Sequence, residues 1–299
     1  MLKSVFILVA LATGLLLPQL DAYTFVLRPF LMTLLFFSFL GVNIDREIFA
    51  RQQLLVAVLL PFIGLLAYWL GGLYNEDLAL TLLLMGLAPT AVISPVLAEL
   101  MHRRAAYMIG AILLTHASFA LTVPLLLPYL LGVELVLADL GKLLLTISST
   151  ILLPLALAQV LRRWNGEVAD RVRRCGPYAF GLFLINVAVA SGSLSHYLRY
   201  ESDTPWSFIW LTAAAITAMV ILNFLLGSRI APPDHAVEGS LALGRKNTML
   251  SIWIALEFIN PLVVLGPMLY ILGQNVLVAG QILLVAKRDG EVVNQAADA

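Results

Sequence analysis

Two short segments of this chain place helix-breaking or polar residues inside long apolar runs. The first contains Pro89, Thr90, Ser94 and Pro95. Because proline lacks an N–H and clashes with the preceding turn, a regular helix is not expected through both prolines. Thr90 and Ser94 carry hydroxyls that can satisfy the freed backbone groups or bind a ligand. The segment predicts either a broken helix that lines a site or a proline-kinked structural helix.

The second segment begins at Gly244 and continues with Arg245, Lys246, Asn247 and Thr248. A cation in the middle of an apolar span costs about 3 kcal/mol or more, so Arg245 and Lys246 need a protein-lined cavity, a partner or an anionic ligand. Asn247 and Thr248 can hydrogen-bond a carboxylate substrate or cap a following helix. Arg245 is the weaker candidate, since its side chain can snorkel toward the cytoplasm. The alternative is that both cations lie in a cytoplasmic loop.

The composition defines the class of protein that must position these segments. Of 299 residues, 61% are hydrophobic and 12% are charged, whereas soluble domains are about one quarter charged. Apolar runs of about 20 residues, enough to cross a bilayer, recur along the whole chain. We therefore predict an all-α integral membrane protein with about ten transmembrane helices. The predicted spans cover residues 2–20, 23–43, 52–72, 77–101, 105–131, 136–161, 177–198, 205–229, 237–258 and 261–286.

The span count divides into two groups of five, which predicts one repeat over residues 1–132 and a second over 133–299. Five is an odd number, so the second repeat would be inverted relative to the first. The two interrupted segments are the fourth span of each repeat, and matched interruptions of this kind indicate a transport site at the repeat interface. The predicted substrate-binding residues are Thr90, Ser94, Arg245, Lys246, Asn247 and Thr248, and the predicted structural crossover residues are Pro89, Pro95 and Gly244.

The distribution of positive charge predicts the orientation in the membrane. If both termini are cytoplasmic, Arg28, Lys142 and Arg199 fall outside, Arg245 and Lys246 fall within a span, and the rest of the 18 Lys and Arg residues face the cytoplasm. That bias follows the positive-inside rule. We expect a protein of the bacterial inner (plasma) membrane with both ends inside. Zero net charge gives no case for a nucleic-acid partner.

Three motifs make the chain similar to the bile acid:sodium symporter family, as a divergent member. They are Gly86-x-x-Pro89 leading to Ser94, Gly244-x-x-Asn247-Thr248 before an apolar helix, and the segment from Leu34 to Asp45. The resemblance implies ten helices in two inverted repeats, with helices four and nine broken and crossing. It also implies a core domain that moves against a panel domain. Substrates would be small or amphipathic organic anions, such as bile acids, pantoate or other carboxylates, and sodium drives uptake in much of that family.

The chain departs from the family where sodium would bind. By the resemblance, Pro95 replaces an asparagine, Met108 and Ile112 stand where hydroxyls complete the site, and Ala242 and Lys246 replace a glutamate and a glutamine. Sodium needs several oxygen ligands, so these replacements predict no metal site. We therefore expect a sodium-independent member that needs no cofactor.

Lys246 would then place a fixed ammonium where a sodium ion would sit. It would hold the crossover together and supply positive potential for an anionic substrate. Because burial disfavours the charged form of a lysine, loss of its proton offers a way to couple transport to protons. Glu99 and Glu257 are expected near the membrane interfaces. Either would be the natural partner of Lys246 if it reached the cavity.

Two other kinds of function remain as alternatives, another carrier and a receptor or sensor, and an enzyme is not expected. Auxin-efflux and arsenite carriers are distantly similar, although the arsenite carriers typically have a cysteine in the fourth-span break and this chain's only cysteine is Cys175. An intramembrane enzyme would need a nucleophile or metal constellation, and the four dispersed histidines form no metal-ligand spacing. A receptor or sensor would bind ligand without transport. The oligomeric state is not predicted.

Overall fold

A computed structural model describes residues 2–41, 51–132 and 137–297, and these residues form helices without any strand element. Seven helices are long and apolar enough to cross a membrane. The protein is therefore an all-α integral membrane protein, as its composition predicts. The seven helices are Pro18–Phe39, Arg51–Gly72, Ala105–Leu130, Gly141–Trp164, Tyr178–Glu201, Trp206–Ile230 and Pro261–Val285.

The helices of the first half follow the predicted spans closely. They are α1 (Leu2–Leu16), a 3-10 helix (Pro18–Val26), α2 (Leu27–Phe39), α3 (Arg51–Gly72), α4 (Glu76–Leu87), α5 (Ser94–Leu100) and α6 (Ala105–Leu130). The first predicted span was too long at its C-terminal end, because Pro18 cannot continue an α-helix and starts the 3-10 helix instead. The segment from Leu34 to Asp45 runs beyond Gly41 into residues outside the described ranges.

The second half, described from residue 137 to 297, contains seven α-helices within that range. They are α7 (Leu137–Trp164), α8 (Gly166–Arg173), α9 (Gly176–His196), α10 (Trp206–Ile230), α11 (Ala236–Gly244) and α12 (Thr248–Phe258), followed by α13 (Leu265–Ala297) after a 3-10 turn at Pro261–Val264. The segment 162–176, predicted as a loop, contains α8. Its high charge suggested a loop, but the Asn165 side chain caps the helix by accepting a hydrogen bond from the Val168 N–H at 3.1 Å.

Three of the ten predicted spans are absent from the seven long helices for local reasons. The first is short, since its apolar helical part is Val5–Leu16. The fourth and ninth are divided, α4 from α5 and α11 from α12, so that neither half is long enough alone.

Small residues let the helices approach closely in two sets of contacts. In one, α1 packs against α9 and α2 packs against α7; in the other, α3 packs against α4 and α10 packs against α11. A Cβ added at Gly86 would lie 2.5 Å from the Gly64 Cα, and one added at Gly227 would lie 2.3 Å from the Gly239 carbonyl oxygen. Such small-residue contacts are typical of helix packing within membranes. They bring both divided helices into the interior of the protein.

Candidate functional site

The two interruptions predicted by the sequence are present, and each has a local cause. Helix α4 ends at Leu87, and Ala88 takes an extended conformation (φ −50°, ψ 129°) because a following proline disfavours the helical region. Pro95 is the second residue of α5, where a missing N–H costs little. In the second interruption no proline is involved, and Arg245 is extended (φ −87°, ψ 105°) directly after Gly244. The first segment is therefore a broken helix and not a kinked one.

The two interruptions bind each other through their backbones. The Ala91 N–H donates to the Arg245 carbonyl oxygen at 2.8 Å, and the Asn247 N–H donates to the Pro89 carbonyl oxygen at 2.7 Å. These bonds place Thr90 and Lys246 opposite each other in a single antiparallel bridge. Buried backbone groups outside helices need partners. Each broken segment supplies the partners that the other one lacks.

Side chains at the bridge also cap the opposing helices in a reciprocal way. The Thr90 hydroxyl donates to the Ala242 carbonyl oxygen at 2.6 Å, and the Lys246 ammonium donates to the Gly86 carbonyl oxygen at 3.3 Å. Ala242 lies four positions before Lys246, and Gly86 lies four positions before Thr90. Carbonyl groups in the last turn of a helix have no intrahelical partner. Each bridge residue therefore satisfies the C-terminal end of the half-helix that precedes the other.

A side chain from the long helix that follows each interruption supports the bridge. The Thr90 N–H donates to the Thr115 hydroxyl on α6 at 3.1 Å, and the Lys246 N–H donates to the Gln274 carbonyl oxygen on α13 at 2.9 Å. On α13 as well, the Tyr270 hydroxyl donates to the Gly244 carbonyl oxygen at 2.8 Å. Sequence reasoning missed these three supporting residues. Their only signal was a short polar interruption of an apolar span, Thr115-His116 on α6 and Gln274-Asn275 on α13, and the single hydroxyl of Tyr270.

Lys246 is buried without a counter-charge. Its side chain is 1% exposed, and within the described ranges it forms no ion pair. Glu99 and Glu257, the two carboxylates considered as its partners, are both exposed. Lys246 is therefore not exposed to solvent, which argues against the alternative that places it in a cytoplasmic loop. Its Nζ lies beside the C-terminal end of α4, where the helix dipole favours a positive charge.

Asn247 carries out the capping role and also contacts a histidine. Its side-chain oxygen accepts from the Leu250 N–H at 3.4 Å, at the start of α12. Its amide group lies 3.2 Å from the His116 Nε2, while the His116 Nδ1 lies 2.9 Å from the Ile112 carbonyl oxygen. These distances fit a neutral imidazole that donates from Nδ1 and accepts at Nε2. His116 was noted in the sequence only as one of four dispersed histidines.

The remaining predicted binding residues lie around the bridge, and they differ in how many of their polar groups have hydrogen-bond partners. Arg245 is half-buried and turns toward α13, where its Nη1 donates to the Asn275 side-chain oxygen at 2.7 Å. Among the described residues, its Nε has no hydrogen-bond partner, and the buried hydroxyl of Ser94 has none either. Thr248 is buried as the first residue of α12.

The positions predicted to have lost sodium ligands also lie in the interior. Met108 and Ile112 are fully buried on α6, and Ala242 contributes its backbone carbonyl to the bond with Thr90. The hydroxyl that α6 does bring to the crossover belongs to Thr115, which donates to the Ala111 carbonyl oxygen at 2.6 Å. The Thr115 hydroxyl oxygen already accepts the hydrogen bond from the Thr90 N–H at the bridge.

A buried carboxylate that the sequence did not single out lies at the other end of α11. Glu238 is 1% exposed and accepts a hydrogen bond from the Arg104 N–H at 3.2 Å. The same oxygen lies 3.2 Å from the His235 Nδ1. The contact joins the start of α11 to the start of α6. None of the residues in this contact takes part in the crossover.

No model of a known protein family matches this chain, and no curated protein matches it either. A functional assignment therefore depends on the residues and geometry described above. The central feature is a pair of broken helices that cap each other, with a buried ammonium at their contact.

Proposed function

We propose that this protein is a secondary active transporter of small or amphipathic organic anions that works by alternating access. The carrying observation is the reciprocal contact between two broken helices with the unpaired Lys246 ammonium at its centre. Non-helical backbone within a membrane protein is tolerated where it is buried in protein or lines a cavity. In secondary transporters, such broken helices form the substrate site near the bilayer midplane.

The repeat architecture belongs to the same proposal. We propose ten spans in two inverted repeats, residues 1–132 and 133–299. The support is that equivalent contacts recur: a hydroxyl or ammonium bonds the carbonyl four positions before the opposite bridge residue, and a side chain on the following long helix accepts the bridge N–H. A pseudo-two-fold axis through the Thr90–Lys246 bridge would produce all of these pairs at once.

The proposal also includes a division of the protein into a core domain that moves and a panel domain. Helix α9 contacts α1 and α2, and α2 contacts α7. Helices α3 and α10 each contact the first half of a broken helix and the long helix that follows it. The first set would form the panel and the second, with the crossover, the core. Movement of one against the other would expose the crossover alternately to each side of the membrane.

We propose that transport is independent of sodium and that Lys246 takes the place of the ion. An ammonium at the crossover would repel a second cation, and the Lys246 side chain is held by a backbone carbonyl instead of a carboxylate. The same charge would attract an anionic substrate in a site of low dielectric. Release of the Lys246 proton would provide coupling to a proton gradient. We propose that the protein is a divergent member of the bile acid:sodium symporter family and that it lies in the bacterial inner membrane with both termini cytoplasmic.

The test is uptake into proteoliposomes of a panel of labelled carboxylates that includes a bile acid and pantoate. Uptake of the transported compound should be equal in sodium and in choline buffers, and it should fall by more than about tenfold in Lys246→Gln, since a loss of about 1.4 kcal/mol suffices for that. Arg229→Gln, which removes an exposed cation from the last turn of α10, is the matched control and should transport normally. Strong sodium dependence of uptake by the wild type would refute the proposal that Lys246 takes the place of sodium.

Counterflow measurements separate a transporter from a receptor. A receptor would bind the labelled anion but would not exchange it across a sealed bilayer. Vesicles preloaded with unlabelled compound should therefore accelerate entry of the label if the proposal holds.

A further inference from the structure

Arg28 is a cation that the predicted site did not include. It lies in the first turn of α2 and reaches across to α7, where its Nε donates to the Thr150 hydroxyl at 3.0 Å. Its Nη2 donates to the Ser149 hydroxyl at 3.2 Å and to the Thr146 carbonyl oxygen at 3.4 Å. All of these acceptors are neutral. Among the residues whose contacts are described, Arg28 forms no ion pair.

A buried indole beside Arg28 also lacks a partner. The Arg28 Cζ lies 5.7 Å from the centroid of the Trp253 ring. Trp253 is 2% exposed, and its Nε1 has no hydrogen-bond acceptor within the part of the chain that the structure describes. Buried tryptophan N–H groups usually have an acceptor, so an unpartnered one calls for an explanation. An anion seated beside the guanidinium would supply the acceptor that the indole lacks and the charge that Arg28 lacks.

The geometry of the guanidinium suits an acidic group with two or more oxygens. Arg28 uses its Nε and its Nη2 on α7, with two bonds from Nη2, and Nη1 has no partner among the described residues. The N–H groups of Nη1 can donate to one oxygen of an acidic group, and the Trp253 Nε1–H can donate to another. The first turn of a helix also favours negative charge. These features describe a headgroup site formed between α2, α7 and α12.

An apolar cleft begins one helical turn from this site. Met32 lies four residues after Arg28 and Pro154 four residues after Thr150, so the cleft lies on the same faces of α2 and α7. Its volume is about 260 Å³, close to the lower end of small-molecule pockets. It is lined by Met32, Thr33, Phe36, Pro154 and Leu157. A charged end followed by an apolar cleft matches an amphipathic anion and not a small, fully polar one.

We propose that Arg28 and Trp253 bind the acidic headgroup of an amphipathic anion that this protein transports, with the hydrocarbon part in the cleft between α2 and α7. The inference rests on the proposed transport function and names the chemical class of its substrate. Trp253 belongs to α12, the helix that follows the second interruption. A bound headgroup would therefore join the α2–α7 pair to α12 of the broken helix. Binding would in this way be coupled mechanically to the crossover.

The experiment measures binding of labelled decanoate to the full chain in phosphatidylcholine nanodiscs, with empty nanodiscs as background and decanol as the uncharged competitor. Arg28→Gln should weaken decanoate binding about tenfold or more, since a charged hydrogen-bond pair is lost. Trp253→Phe, which removes the N–H and keeps a ring, should weaken it severalfold. Arg199→Gln removes an exposed arginine that bonds only the Leu15 carbonyl and should leave it unchanged.

Three results would overturn the inference. Equal decanoate affinity in the wild type and in Arg28→Gln would make Arg28 a structural tie between α2 and α7. Decanol competing as well as unlabelled decanoate would show that the headgroup is not recognised. Loss of decanoate binding when phosphatidylglycerol is added to the nanodiscs would assign the site to a membrane lipid.

Failure of this site and failure of the transport proposal give different outcomes. Arg28-dependent binding without any uptake of decanoate into proteoliposomes would refute transport and retain the site. Uptake that keeps its apparent affinity in Arg28→Gln would refute the site and retain transport.

Discussion

Replacing Lys246 by methionine separates a functional lysine from a structural one. Methionine is unbranched and similar in length, so it can fill the same buried space. The change removes the bond from the ammonium to the Gly86 carbonyl oxygen and also removes a buried positive charge. These two effects on the free energy of unfolding have opposite signs.

The magnitudes nearly cancel. A cation at the centre of a membrane span costs about 3 kcal/mol. The 3.3 Å bond from the ammonium contributes about 1.5 kcal/mol, at the low end for a charged donor because it is long. The dipole of α4 adds about 0.5 to 1 kcal/mol. The gain of about 3 kcal/mol is offset by a loss of about 2 to 2.5 kcal/mol and by about 1 kcal/mol for the carbonyl left without a partner, so Lys246→Met should change stability by about 1 kcal/mol or less.

The assay combines thermal unfolding of the purified protein with uptake into proteoliposomes. At about 2 °C per kcal/mol for a chain of this size, the midpoint should stay within about 2 °C of the wild type. Uptake of the transported anion should fall by more than about tenfold. The protein would then be well folded and inactive.

The opposite pattern would refute the reasoning. If Lys246 were a structural clamp, the lost bond and the Gly86 carbonyl left without a partner would together cost about 3 kcal/mol or more, with no compensating gain. A fall in the midpoint of about 6 °C or more, with uptake preserved in the surviving protein, would show that the ammonium stabilises the crossover and does not serve the substrate.

Two further substitutions test the packing of the crossover. Thr90→Val removes the hydroxyl that caps α11 and should lower the free energy of unfolding by about 1 to 2 kcal/mol. The control, Thr217→Val, loses an exposed hydroxyl that bonds within its own helix and should change the free energy of unfolding by less than about 0.5 kcal/mol. Equal midpoints for the two variants would contradict the capping role. Gly86→Ala places a Cβ 2.5 Å from the Gly64 backbone and should cost about 1 to 3 kcal/mol, whereas Gly181→Ala meets open space and should gain up to about 1 kcal/mol. Thermal unfolding measures both, and a stable Gly86→Ala variant would show that α3 and α4 can separate.

The positions of both interruptions could be predicted because their causes are local. Two prolines in one apolar run interrupt a regular helix, and two adjacent cations in another are costly at membrane depth, whatever surrounds them. The bounds of the long helices could be predicted for a similar reason, since an apolar run of sufficient length becomes a helix in a membrane. The error at Pro18 arose at a helix end, whereas α8 was missed as a whole because its charged segment forms a helix that Asn165 caps.

The partners at the site could not be predicted from the sequence. Thr115 and Gln274 lie 25 and 28 positions from the bridge residues that they support, and the Gly86 carbonyl lies 160 positions from Lys246. A backbone carbonyl has no sequence signature at all. The same holds for Arg28, which the sequence places only as an external cation, although in three dimensions it lies beside an unpartnered indole.

By itself, the sequence determined that the chain is an all-α membrane protein in which two apolar segments are interrupted. The reason is that the length of an apolar run, the missing N–H of a proline and the presence of charged residues are properties of a short segment. The tertiary structure decided that the two interruptions meet, that each caps the other, and that Lys246 bonds a carbonyl and no carboxylate. The physical reason is that a broken helix leaves unsatisfied backbone groups that cannot remain unpaired away from water. Which groups satisfy them depends on what the fold brings into contact, and here the partner of each interruption is the other one.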